Sequence, residues 1–267
     1  MDVLIFFLAP FCMCLILVGI HCYMGLHVLK RGVIFVDLSL AQVAGLGSTV
    51  ALLFHVEHHS TASYLISLLH TFAAASLFAW GRKVEDKISQ EVLIGIVYAL
   101  ASALVILVVQ KLTHGSEHIK EILIGRILWV SWDDVIKTSI IYSIVAGVHY
   151  YFRKQLLGVS SGKQIENKAF WDFLFYALFG VVITSSVGVA GILLVFSFLI
   201  VPALVSTFFY KGLKQRLIFG WVLGLLVCTL GMFLSYILDL PAGAILVVCF
   251  TVIPILLLPF LSKFKAA

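Results

Sequence analysis

The chain has 267 residues, 62% of them apolar and only 12% charged, with a formal net charge of +5. Soluble domains carry about 45–50% apolar and about 25% charged residues. This composition, with a mean hydropathy of +1.14, therefore excludes a soluble enzyme or a nucleic-acid-binding module and specifies an all-α, polytopic helical membrane protein. The polar breaks are short, so residues 1–267 read as a single transmembrane domain.

The first apolar run covers residues 3–29. Asp2 stands where a signal peptide has its basic region, and Lys30 and Arg31 follow the run where a small-residue cleavage site would lie, so no cleavable leader is expected. Cys12, Cys14 and Cys22 fall in this run and Cys228 and Cys249 in later ones. This scatter gives no C-x-x-C motif and no disulfide framework, and free cysteines of this kind act as small hydrophobes.

The second run, residues 33–53, carries Asp37 near its start. A charge within a bilayer costs about 2.5–3.5 kcal/mol on insertion scales, so an acid there marks a functional position facing protein or water. Asp37, Ala41, Gly45 and Ser48 share one helix face, whose small residues suit close helix contact. Ser39 and Gln42 lie on neighbouring faces as neutral oxygen donors of the kind hard divalent cations prefer.

Further runs follow at residues 63–80, 91–109, 135–151, 171–185, 188–208, 217–238 and 242–261, giving eight to nine spans. The Gly-rich stretch 185–191 resembles the interruptions of discontinuous helices. Basic clusters at Lys30/Arg31, Arg82/Lys83/Lys87, Arg153/Lys154/Lys163/Lys168, Lys211/Lys214/Arg216 and Lys263/Lys265 belong in the cytoplasm by the positive-inside rule. The N terminus is then expected outside and the C terminus inside.

Between the fourth and fifth spans, His114, Glu117, His118 and Glu121 follow an i, i+3, i+4, i+7 pattern. On a helix they share a face on the outer side, either as a wet charged surface or as a transition-metal site. The spacing is not that of the hydrolytic H-E-x-x-H motif. His55, Glu57, His58 and His59 form a second polar group at an outer loop tip. No G-x-x-x-x-G-K-[ST] phosphate loop occurs; GVSSGKQ, residues 158–164, is one residue short and reads as a cytoplasmic turn. Ser185 and Ser186 have no nearby intramembrane base with which to form a nucleophilic pair.

Four segments occurring in order, GLHVLKRGVIFVDLSLAQ (25–42), GRILWVSWDDV (125–135), VGVAGILLVFSFLIVPALVS (187–206) and DLPAGAILVV (239–248), resemble the metal-ion permeases of ATP-binding-cassette importers. The resemblance covers nearly the whole chain. It implies an integral subunit of the bacterial cytoplasmic membrane, homodimeric, that passes a divalent transition metal (zinc, manganese or iron). It also implies separate cytoplasmic ATPase subunits that use ATP, an extracytoplasmic metal-binding protein that delivers the ion, and no permanently bound cofactor. Asp37 carries over as the metal-path acid. Relatives often have a histidine four positions later, where this chain has Ala41, which removes the softer donor from the path. The family's short coupling helix maps to residues 203–214, with Leu204, Phe208, Phe209 and Lys211 as expected ATPase contacts. The competing reading is an ion-coupled secondary transporter with Asp37 as relay. A membrane enzyme would need a recognisable acid, base and nucleophile set, which the chain lacks.

Overall fold

A computed structural model describes residues 2–57, 60–113 and 115–263, so His58, His59, His114 and Lys265 lie outside the described residues. The described residues form ten α-helices: α1 (Asp2–Arg31), α2 (Val36–Leu53), α3 (Thr61–Gly81), α4 (Gln90–Val109), α5 (Gly115–Ile124), α6 (Trp132–Tyr151), α7 (Arg153–Ser160), α8 (Lys168–Phe209), α9 (Leu213–Leu238) and α10 (Ala242–Leu257). No strand occurs among them. In a bilayer only internally hydrogen-bonded segments satisfy their own backbone, and long apolar sequences therefore fold as helices.

Among the described residues, seven helices are long and apolar enough to cross a membrane. One of these, α8, has 42 residues, which at 1.5 Å per residue spans about 63 Å, twice the roughly 30 Å hydrocarbon core, and so supplies two crossings. Its two halves meet at Gly191, whose φ of 73° and ψ of 163° leave the helical region; glycine tolerates that positive φ without steric cost. The sequence anticipates a break over residues 185–191, and the helix in fact continues up to this single residue. The Val189 carbonyl at the kink accepts a hydrogen bond from the Arg126 backbone N–H at 2.8 Å. With α8 counted as two crossings the seven helices give eight; α6, with 20 residues but an Asp133/Asp134/Lys137 cluster at its start, is not among them.

The chain divides into two compact units, each assembled from separated stretches. The first contains residues 1–29, 124–142 and 189–267. In it α1, the second half of α8, α9 and α10 approach through small residues. A side chain at Gly25 would strike the backbone of Leu199, and Gly220 and Gly224, a G-x-x-x-G pair on α9, face Cys22 and Val18 of α1. Small residues let helix backbones come close where lipid is as apolar as the side chains and dispersion does the holding. Phe198 and Phe250 meet edge to face, with ring centroids 5.3 Å apart, inside this unit.

The second unit contains residues 30–123 and 143–188. Here α2 lies against both α3 and α4. Gly47 touches the Ser67 backbone of α3, and Thr71 of α3 shares a 2.9 Å hydroxyl contact with Thr184 of α8. Serine caps begin two helices: Ser60 Oγ accepts from the Ser63 N–H at 3.2 Å, and Ser89 Oγ from the Val92 N–H at 3.4 Å. Phe78, Phe175, Tyr176 and Phe179 fill the centre, all fully buried.

Gly25→Ala is expected to destabilise the protein by about 1–3 kcal/mol through overpacking against Leu199. A methyl group added at Gly95 on α4 would meet no atom within 4 Å, so Gly95→Ala should leave stability unchanged or slightly raised. Thermal unfolding in detergent, followed by tryptophan fluorescence, measures both.

Candidate metal path

The α1 helix stops at Arg31 because Gly32 takes a left-handed φ of 67°, the conformation that ends helices at least cost in glycine. A short turn then leads into α2 and places Asp37 in its first turn. A carboxylate there faces the positive end of the helix dipole, which favours the anion. Asp37 is 1% exposed, and neither of its oxygens accepts a hydrogen bond.

Glu91 stands in the equivalent place on α4, in its first turn. Its Oε1 accepts a hydrogen bond from the Phe35 N–H at 3.2 Å, immediately before α2, while Oε2 is buried without a partner. The Phe35 contact brings the two helix starts together. Ser39 is fully buried with an unpartnered Oγ, and Gln42 is also buried. Buried polar atoms nearly always have partners, so the three unpartnered carboxylate oxygens on Asp37 and Glu91 single out the adjoining starts of α2 and α4 among the described residues. Glu91 was legible in principle, since it too is an acid heading an apolar run.

Further along α2, Ile122 of α5 lies against Gly45. The Thr49 hydroxyl donates to the Gly45 carbonyl at 2.7 Å, and His118 Nε2 lies 3.1 Å from the same hydroxyl. With its one proton committed, Thr49 Oγ1 accepts here, so Nε2 of His118 carries the hydrogen. The outer histidine-glutamate segment thus divides. His118 and Ile122 turn inward and are buried, Glu117 is exposed and Glu121 half-exposed. His114 lies outside the described residues. Among those described, no three His, Cys, Asp or Glu side chains form a group able to hold a metal; the apolar Ile122, on the inward face of α5, draws His118 with it.

The expected coupling segment differs from a separate short helix. Residues 203–209 form the last turns of α8, continuous through Pro202, because no residue there breaks the backbone ladder before Tyr210. Phe209 and Tyr210 rest on Phe219 of α9, with centroids at 5.3 and 5.5 Å. Leu204 and Phe208 are half-buried, and Lys211 is exposed. Besides α5, a short helix outside the spans is α7, with Leu156 and Val159 buried and Arg153 and Lys154 exposed.

Seven helices long and apolar enough to cross a membrane, with unpartnered carboxylate oxygens buried in the second unit, define a multi-pass membrane protein. The chain belongs to the ABC 3 transport family, whose profile matches residues 5–261. It is similar to the manganese transport system membrane protein MntB of Synechocystis sp., with 30% identity over 189 residues, 68% of this chain and 61% of that protein. It thus spans about three-fifths of the length of that relative. A "probable iron transport system membrane protein" of Haemophilus influenzae is 21% identical over 92% of this chain and 86% of its own length. Among solved structures, PsaBC from Streptococcus pneumoniae in complex with Fab superposes with a TM-score of 0.74 at 19% identity, covering 92% of this chain and 88% of that one. That likeness is one of fold.

The Thr49 contact predicts that Thr49→Val, which keeps shape and removes the acceptor, will loosen α5 from α2. Hydrogen exchange in residues 115–124 should speed up by about fivefold or more, the loss of one buried hydrogen bond of roughly 1 kcal/mol, while exchange in α9 stays unchanged.

Proposed function

We propose that this chain is the membrane-spanning permease of an ATP-driven importer for a divalent transition metal, and that Asp37 and Glu91 line the metal's path. The observation that carries this reading is the set of three buried, unpartnered carboxylate oxygens on Asp37 and Glu91, at helix starts joined by the Phe35 contact. A dication entering between the two carboxylates would supply the partners their buried oxygens lack. A site with few protein ligands can also release the ion, which passage requires. Gln42 stands by as a further neutral oxygen donor.

The donors are oxygens, and with Ala41 in place of the family's histidine there is no imidazole one turn beyond Asp37. Oxygen sites suit manganese(II) and iron(II) better than zinc, which favours nitrogen and sulfur. The relatives named for manganese and iron transport support the same choice. The chain carries no phosphate loop of its own, which fits a subunit that draws its energy from cytoplasmic ATPase partners. An extracytoplasmic binding protein would deliver the ion, and a second copy of the permease would complete the path. Leu204, Phe208, Phe209 and Lys211, at the cytoplasmic end of α8, are the proposed ATPase contacts, with α7 offering the other cytoplasmic surface.

In proteoliposomes containing the permease, its ATPase and the loaded binding protein, manganese uptake should require ATP. Asp37→Asn and Glu91→Gln should each lower uptake by about tenfold or more, as loss of metal-site partners does, without reducing assembly. Wild-type uptake in both variants would remove the carboxylates from the path, and uptake without ATP would remove the importer reading.

Truncating Phe208 and Phe209 together to alanine should release the ATPase on purification, since buried anchors at interfaces are worth roughly 2 kcal/mol or more each. A complex that stays assembled and coupled would move the docking surface to α7.

A further inference from the structure

At the cytoplasmic end of the second unit, several chain segments meet in an ion cluster that metal binding does not use. Arg31, the last residue of α1, donates from Nη1 to Asp172 Oδ1 at 2.6 Å and from Nε to Ser160 Oγ at 2.9 Å. Its guanidinium lies 3.9 Å from the centre of the Phe175 ring. Asp172 lies near the start of α8, and Ser160 is the last residue of α7. The other Asp172 oxygen faces Arg82, just past α3, at 3.7 Å from Nε, too far for a hydrogen bond. Arg82 also faces Glu85 at 3.8 Å. The Arg31 and Asp172 side chains are 0% and 2% exposed and that of Arg82 12%. Arg31 Nη2 and Arg82 Nε have no hydrogen-bond partner.

Stability alone does not account for this cluster, because a buried ion pair is seldom worth more than apolar side chains of the same volume. A buried guanidinium and a half-buried one share a single buried carboxylate, engaged with the first and facing the second at a non-bonding distance. Such a carboxylate has two discrete partners available, the property of a switch. The position of Arg31 gives the switch a consequence. Arg31 is six residues before Asp37, with the glycine turn at Gly32 between them, and it holds Ser160 at the end of α7.

We propose that Arg31 and Asp172 are positioning residues that link the cytoplasmic helix α7 to Asp37. With Asp172 on Arg31, the turn before α2 is clamped and Asp37 is held beside Glu91. When α7 is displaced from the cytoplasmic side, Asp172 exchanges Arg31 for Arg82, the turn is released, and the start of α2 moves with its carboxylate. This deepens the permease reading above and rests on it.

The test uses the complete reconstituted transporter and reads manganese moved per ATP hydrolysed. Arg82→Gln removes the second position of the switch and leaves the Arg31–Asp172 pair intact. It is expected to lower the ratio about tenfold, the scale of typical intersite coupling, with assembly and basal hydrolysis unchanged. Asp172→Asn should do the same, and Asp172→Glu should restore part of the ratio. A second readout is the distance between spin labels at the exposed positions Lys154 on α7 and Ile34 in the turn. It should change on trapping with ATP in the wild type and stay fixed in Asp172→Asn and Arg82→Gln. A wild-type ratio and a wild-type distance change in Arg82→Gln would overturn the inference while leaving the permease reading in place. A wild-type transporter that moves no manganese with ATP would overturn both.

Discussion

Charge held out of water with too few partners is the constraint around which the second unit is arranged. Asp37 presents two oxygens with no hydrogen bond, Glu91 one, and Arg31 and Arg82 each a nitrogen. In a medium of low polarity each such atom is expensive, and none is needed to hold apolar helices together. The carboxylates gather at the adjoining starts of α2 and α4, where helix dipoles favour negative charge. The guanidiniums gather around Asp172, where an aromatic face takes up part of the charge of Arg31. One short turn, with glycine at its pivot, separates the two groups along the chain.

The surrounding bundle makes these costs bearable by using little else that is polar. Its helices approach through glycine, alanine, serine and threonine. Hydroxyls such as those of Thr49, Ser67 and Thr71 return their protons to carbonyls one turn earlier, so they add small interhelical contacts without leaving donors unpaired. The Gly191 kink follows the same logic, since the Val189 carbonyl there accepts from Arg126. Irregular backbone within a membrane bundle persists where protein supplies the missing partner.

On the proposed reading, the Asp37 and Glu91 carboxylates would attract a dication, and the shortage of further donors would keep it exchangeable. Thr49 lies about three turns along α2 from Asp37, and the inward-turned His118 acts there as a hydrogen-bond donor to the helix. The outer helix α5 is therefore joined to the same helix that carries the proposed metal acid at its opposite end.

The sequence by itself determined the membrane class, the order of the spans, the interruption near Gly191 and the cost of placing Asp37 within a span. These are local properties: about twenty apolar residues specify a span, and an acid within one is costly whatever its neighbours. The resemblance to metal permeases was legible because its motifs are contiguous stretches. Only the tertiary structure decided which groups stand together. Glu91 lies 54 positions beyond Asp37 in the chain and meets α2 through the amide of Phe35. Arg31 and Asp172 are 141 residues apart. His118, which the helical pattern groups with two glutamates, instead faces Thr49 because Ile122 turns that side of α5 inward. The end of α8 stays helical where a separate coupling helix was expected, since the ladder continues past Pro202. Pairing across helices depends on how faces rotate and on which small residues let backbones approach, and neither is written in the spacing of one segment.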